Sequence, residues 1–167
     1  MVSRTAIWSL VGISMLFFAS VIALAGDEQL YGTWRLVSFT NTGVGGGETT
    51  EPYGKSPTGF INYGPDHRFV AVIMGDKRPK PVDLFKMTDQ EAAALLKTMV
   101  AYGGTYSYDG KILKVHIDMS WIELLTGTDQ VREVKIDGNK LILATLPVPG
   151  PPDGKPMIST ATWEHLR

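Results

Sequence analysis

Gly104-Thr105-Tyr106-Ser107-Tyr108-Asp109-Gly110-Lys111-Ile112-Leu113-Lys114-Val115-His116-Ile117-Asp118-Met119 reads as two strands joined by a tight turn. Strand side chains alternate between faces, and Leu113, Val115, Ile117 and Met119 form one apolar set, against Lys114, His116 and Asp118 on the other. Before the turn, Tyr106 and Tyr108 share a parity with Tyr102. Asp109-Gly110 supplies residues that accept positive φ, as a two-residue type I′ hairpin requires. Neighbouring strands are therefore expected to pair antiparallel, as in a meander.

The same grammar extends in both directions. Gly, Pro, Asn and Asp punctuate short runs rich in Val, Ile, Tyr, Phe and Thr, which read as strands. They fall at Leu30–Phe39, Pro57–Tyr63, Arg68–Met74, Gly104–Tyr108, Lys111–Met119, Gln130–Ile136, Lys140–Leu146 and Ile158–His165. Asp137-Gly138-Asn139 marks a second hairpin of the same kind. One helix interrupts the series: Thr88 and Glu91 have capping-box spacing, and Ala92, Leu95, Leu96, Met99 and Val100 recur at helical intervals until Gly103-Gly104. Its apolar face is expected to pack on the sheet or close one end of a barrel. Asn41–Lys55, with Gly43, Gly45, Gly46 and Gly47, and Pro147–Pro156, with five prolines, read as loops. No helix or lysine follows the glycines at phosphate-loop spacing, so they read as a plain flexible loop. Eight short antiparallel strands and one helix make an all-β domain, and eight strands suit a closed barrel wide enough for one small ligand.

The first 25 residues differ in kind. Arg4 precedes the uncharged run Ala6–Ala25, which ends in Ala23-Leu24-Ala25 before Gly26-Asp27. Positive start, apolar centre and small residues at the end are the order of a secretory signal peptide. Cleavage after Ala25 and export, to the periplasm or the medium, are expected, with residues 26–167 as one domain off the membrane; an uncleaved anchor is the competing reading. The 167 residues carry 16 Lys plus Arg against 17 Asp plus Glu and no Cys. Balanced charge without a basic stretch argues against a nucleic-acid partner. Lack of cysteine excludes disulfides, thiolate metal sites and a cysteine nucleophile.

Further likeness lies in a set of segments. Leu30-Tyr31-Gly32-Thr33-Trp34-Arg35-Leu36-Val37-Ser38-Phe39 opens with a glycine, any residue, then tryptophan. Pro57-Thr58-Gly59-Phe60-Ile61-Asn62-Tyr63, Gly64-Pro65-Asp66-His67-Arg68-Phe69, Ala101-Tyr102-Gly103-Gly104-Thr105-Tyr106, Gly127-Thr128-Asp129-Gln130-Val131-Arg132-Glu133-Val134 and Thr162-Trp163-Glu164 follow in order. Together they resemble the bacterial and fungal lipocalin-like domain family, over essentially all of Leu30–Arg167. The resemblance implies a calycin-type, lipocalin-like barrel with a ligand cavity, Gly32 and Trp34 forming part of its base. Where relatives are expected to carry a histidine, this chain has Val115, with His116 beside it.

No catalytic set emerges. No serine lies in a nucleophile-elbow context, and His67, His116 and His165 are scattered. His116 and Asp118 share an outward face but are too few to close a metal site, so neither metal nor cofactor is expected. In Gln130–Ile136 the apolar Val134 and Ile136 carry Gln130 and Arg132 inward, with Glu133 and Lys135 outward. Arginine is rarely buried without a partner. Arg132 either stacks on Trp34 at the closed end, as lipocalins typically arrange an arginine, or meets an anionic group of a ligand. Tyr102, Tyr106 and Trp121, with Asn62, Gln130 and Arg132, form the expected ligand-binding set: an apolar cup with a few polar groups. The leading expectation is a binding or carrier protein for a small hydrophobic or amphipathic molecule. An isomerase or cyclase using Tyr and Arg in the same cavity is the alternative, and an envelope protein that meets a partner through its outer surface is a third.

Overall fold

Period-two alternation of apolar residues is realised almost strand by strand. The computed structural model describes residues 26–151 and 153–166. The expected signal segment lies outside the described residues. Strand β1 spans Gly32–Gly43, β2 Thr49–Thr50, β3 Thr58–Tyr63, β4 Arg68–Met74, β5 Met99–Tyr108, β6 Ile112–Ser120, β7 Asp129–Asp137, β8 Lys140–Thr145, β9 Val148–Pro149 and β10 Pro156–His165. The eight longer strands form an antiparallel ring in the order β1-β3-β4-β5-β6-β7-β8-β10, which β10 closes by pairing with β1 from Trp34↔His165 to Gly43↔Met157. β2 and β9 are two-residue additions beside β1 and β10. Closure leaves no long unpaired edge in the ring.

Alternation sets which side chains enter the barrel. Gly59, Ile61 and Tyr63 of β3, Phe69, Ala71 and Ile73 of β4, and Leu113, Val115 and Ile117 of β6 are buried, and most of their neighbours in sequence are exposed. Two bulges reset this parity. In β1 the register shifts between Leu36 and Ser38, so Trp34 and Leu36 point inward before the bulge and Phe39 after it. In β6 the partner of Gly103 is Met119 and that of Gly104 is Ile117, leaving Asp118 as the extra residue. A bulge places two residues opposite one and turns the side chains beyond it. Met119, expected inside, consequently lies outside and is 63% exposed. Gly104 is required here, because a Cβ on it would overlap the His116 carbonyl oxygen.

Helix α1, Asp89–Lys97, begins at the expected capping box, with Thr88 accepting from Glu91 N–H and Glu91 accepting from Thr88 N–H at 2.8 Å. It ends sooner than its apolar spacing suggests. Thr98 turns its hydroxyl back to the carbonyls of Ala94 and Leu95, and Met99 and Val100 begin β5, where they pair with Met74 and Ile73. The ladder with β4 outcompetes helical continuation. No residue of α1 is buried. Ala92, Ala94 and Leu95 are half-buried, so the helix adds no fully buried residue to the core.

Both hairpins exist, with turns that differ from the expectation. Asp109, Gly110 and Lys111 make a three-residue connection, in which Asp109 Oδ1 accepts from Lys111 N–H at 2.9 Å and Ile112 N–H at 2.7 Å. In the second, Asp137 pairs with Lys140 across Gly138-Asn139. Only the glycine has positive φ in each, +95° at Gly110 and +60° at Gly138, so neither is type I′.

The base of the barrel is filled. Leu30 is fully buried, Trp34 is 2% exposed, and Trp34 Nε1 donates to the Leu30 carbonyl at 2.8 Å. Gly32 combines φ +111° with a Cβ position only 2.7 Å from His165 Nε2, two reasons why a side chain does not fit.

Candidate functional site

Above that base, toward the ends of β1, β4, β6 and β8, the interior is not filled. A cavity of about 180 Å³ remains, lined by nineteen residues from β1 and all the other long strands together with Trp121 and Leu125. Its walls are mainly apolar: Ile61, Ile73, Val100, Leu113, Val115 and Ile117 on one side, Leu143 and Ala161 on the other. Aromatic rings add a connected surface. Tyr63 stacks on Phe69 with centroids 6.1 Å apart, and Phe69 meets Tyr102 edge-on at 5.7 Å.

Polar groups gather on one arc. Gln130 and Arg132 come from the upper part of β7, Thr145 from the end of β8 and Ser159 from β10, and the register sets Arg132 opposite Thr145. Ser159 N–H donates to Thr145 Oγ1 at 3.0 Å, and Ser159 Oγ donates to Asn41 Oδ1 at 2.8 Å. Arg132 Nη1 donates to the Val131 carbonyl at 2.9 Å and lies 3.5 Å from Gln130 Oε1. Arg132 is half-buried and is the one charged residue in the cavity wall. Among the described residues no carboxylate lies within 4.0 Å of it. Burial holds the Tyr63 phenol well above its ordinary value of 10.0; Tyr102 adds to the shift and the Arg132 charge opposes it. Tyr63 is accordingly a neutral hydroxyl at neutral pH.

Of the residues expected from sequence, Tyr102, Trp121, Gln130 and Arg132 converge on this cavity. Two do not. Asn62 is exposed on the outer face of β3, its amide donating to Thr33 Oγ1 at 2.8 Å, because Ile61 and Tyr63 on either side take the inward positions. Tyr106 points inward but lies beneath the cavity, its hydroxyl donating to the Gly64 carbonyl at 2.8 Å and its ring 5.0 Å from Tyr63. The stacking of Arg132 on Trp34 is also absent. The Trp34 ring meets His165 edge-on at 4.6 Å instead. Sequence reasoning missed Tyr63, Phe69, Thr145, Ser159 and Trp163, although the parities Leu141-Leu143-Thr145 and Ser159-Ala161-Trp163 carry that signal. Outside the barrel, His116 Nδ1 lies 2.7 Å from Asp129 Oδ1. Among the described residues no group of three His, Asp or Glu is placed to hold a metal ion.

A family model described as the lipocalin-like domain matches residues 31–165. The chain belongs to that family. Searches of curated proteins and of solved structures found no match. In this lipocalin-like domain the matched span contains every strand of the ring and every lining residue of the cavity. The lipocalin-like fold therefore suggests small-molecule binding, and the cavity is where such a molecule would sit.

Proposed function

We propose that the domain is a binding or carrier protein that holds one small, largely apolar molecule in the barrel, and that it works outside the cytoplasm. The observation that carries the binding part is the unfilled, mainly apolar space of about 180 Å³ inside a closed barrel whose base Leu30 and Trp34 occupy. A barrel serving only as a scaffold would gain stability by filling that space, since interiors pack at near-crystalline density and voids forfeit contacts. Mainly apolar walls with a few convergent polar groups are the usual construction of a small-molecule site. The extracytoplasmic part rests on the sequence of residues 1–25.

Native mass spectrometry of protein isolated from its own host tests the binding reading: a co-purifying small molecule at one per chain is expected. Ala161, 7% exposed in the wall, offers a control. Ala161→Leu should remove the bound mass and leave cooperative melting intact. Wild-type protein that carries nothing and binds no apolar probe would overturn the reading. N-terminal sequencing of exported protein should begin at Gly26; an intact Met1 in the membrane fraction would refute cleavage.

A further inference from the structure

We infer that the cavity is built for a small monocarboxylate on a single ring, and not for a long-chain lipid; this rests on the binding reading above. The charge argument comes first. Arg132 is the only ionised residue among the nineteen that line the cavity, and its Nη1 reaches only two neutral oxygens. A half-buried guanidinium beside apolar walls loses hydration without gaining a counter-charge, so an anion brought by the ligand restores what burial removed. Guanidinium presents five N–H donors in a planar fork that matches a carboxylate. One cation with no second beside it favours a single negative charge. Gln130, Thr145 and Ser159 on the same arc add neutral polar partners around the carboxylate.

Size and shape supply the rest. A volume of about 180 Å³ is close to the roughly 150 Å³ of an engineered cavity that accepts benzene. A ring with a short acidic arm fits; an extended acyl chain does not. Phe69 and Tyr102 face the space as a T-shaped pair and Tyr63 stacks on Phe69, a surface suited to a planar ring. Trp163, another wall residue, has its buried indole N–H without an acceptor among the described residues. Such unmatched buried donors are uncommon in native folds and often mark a place where a partner is still to come.

The test uses the full chain and three probes: benzoate, its uncharged analogue benzamide, and palmitate. Binding is read from the fluorescence of Trp121 and Trp163, both in the wall. Benzoate is expected to bind about tenfold or more tightly than benzamide, as a charge-assisted hydrogen bond implies, and palmitate more weakly than either. Arg132→Gln should abolish the preference, lowering benzoate affinity to that of benzamide on the same variant. Equal affinity for benzoate and benzamide on the wild-type chain overturns the charge assignment, whether or not the variant folds. A folded Arg132→Gln that keeps the preference overturns it too, and palmitate binding as tightly as benzoate overturns the size assignment. Failure of both ring probes to bind overturns this inference alone; the binding reading falls only if palmitate also fails and no molecule co-purifies with the wild-type chain.

Discussion

Gly104 shows how much one residue can be constrained by the wall it sits in. A Cβ added there would overlap the His116 carbonyl oxygen and stand 2.8 Å from Asp118 N. Gly104→Ala must push the β6 bulge outward, and a loss of about 1–3 kcal/mol, the range for overpacking, is expected in urea denaturation. Trp34 makes the opposite case. Its truncation to alanine empties the base and breaks the bond to Leu30 O, so roughly 3–5 kcal/mol should be lost; a melting temperature equal to wild type would contradict its role in the base. Tyr63 gives a pH dependence. Burial raises its folded-state value well above the unfolded 10.0, so its contribution to stability is complete below pH 10 and is lost as pH rises above it. Denaturant unfolding should show a stability decline above pH 10 that Tyr63→Phe reduces, and an unchanged decline in that variant would rule Tyr63 out as its source.

Elements differ in how much they depend on the rest. Helix α1 has its capping box but no fully buried residue, so little of the buried core depends on it. Thr88→Ala should cost about 1 kcal/mol of helix stability and speed amide exchange at residues 92–97, while the barrel's main transition stays within about 0.5 kcal/mol. A large shift of that transition would mean that the helix braces the barrel after all. The helix start is legible in the sequence because a cap is a local device. Its end is not, because Met99 and Val100 continue the helical spacing and only the ladder to Met74 and Ile73 makes them strand. Strand β7 is legible from its charges: Glu133 and Lys135 are exposed and Gln130 and Arg132 are turned to the cavity. Strand β6 misleads at Met119, because the extra residue Asp118 leaves no mark in an alternating pattern.

The whole molecule is held by pairing between its two ends, β1 with β10, and by a short segment that covers the base. Leu30 is fully buried beneath Trp34, and Asp27 is 8% exposed with its carboxylate 3.5 Å from His67 Nδ1. A chain that starts at Tyr31 should therefore be less stable than one that starts at Gly26 by about 2–5 kcal/mol, the cost of deleting a buried leucine. Equal denaturation midpoints would show that the segment is dispensable to the barrel. The same geometry explains why two of six expected ligand residues lie off the site. Inward parity places a side chain inside the ring but not at a height along it, and Tyr106 shares the parity of Tyr102 yet lies below the cavity. Asn62 is different, since its own neighbours Ile61 and Tyr63 already assign it to the outside.

Taken alone, the sequence determined an antiparallel all-β domain of about eight strands, Trp34 in its core, a capped helix, and the face on which Arg132 lies. These follow from period-two alternation, turn chemistry and capping, which act between residues close in the chain. Tertiary structure decided the ring closure, the two bulges, the height of the cavity above the base, and the partner of Trp34. Each depends on contacts between residues far apart in sequence, where register and packing choose among arrangements that local preference leaves equal.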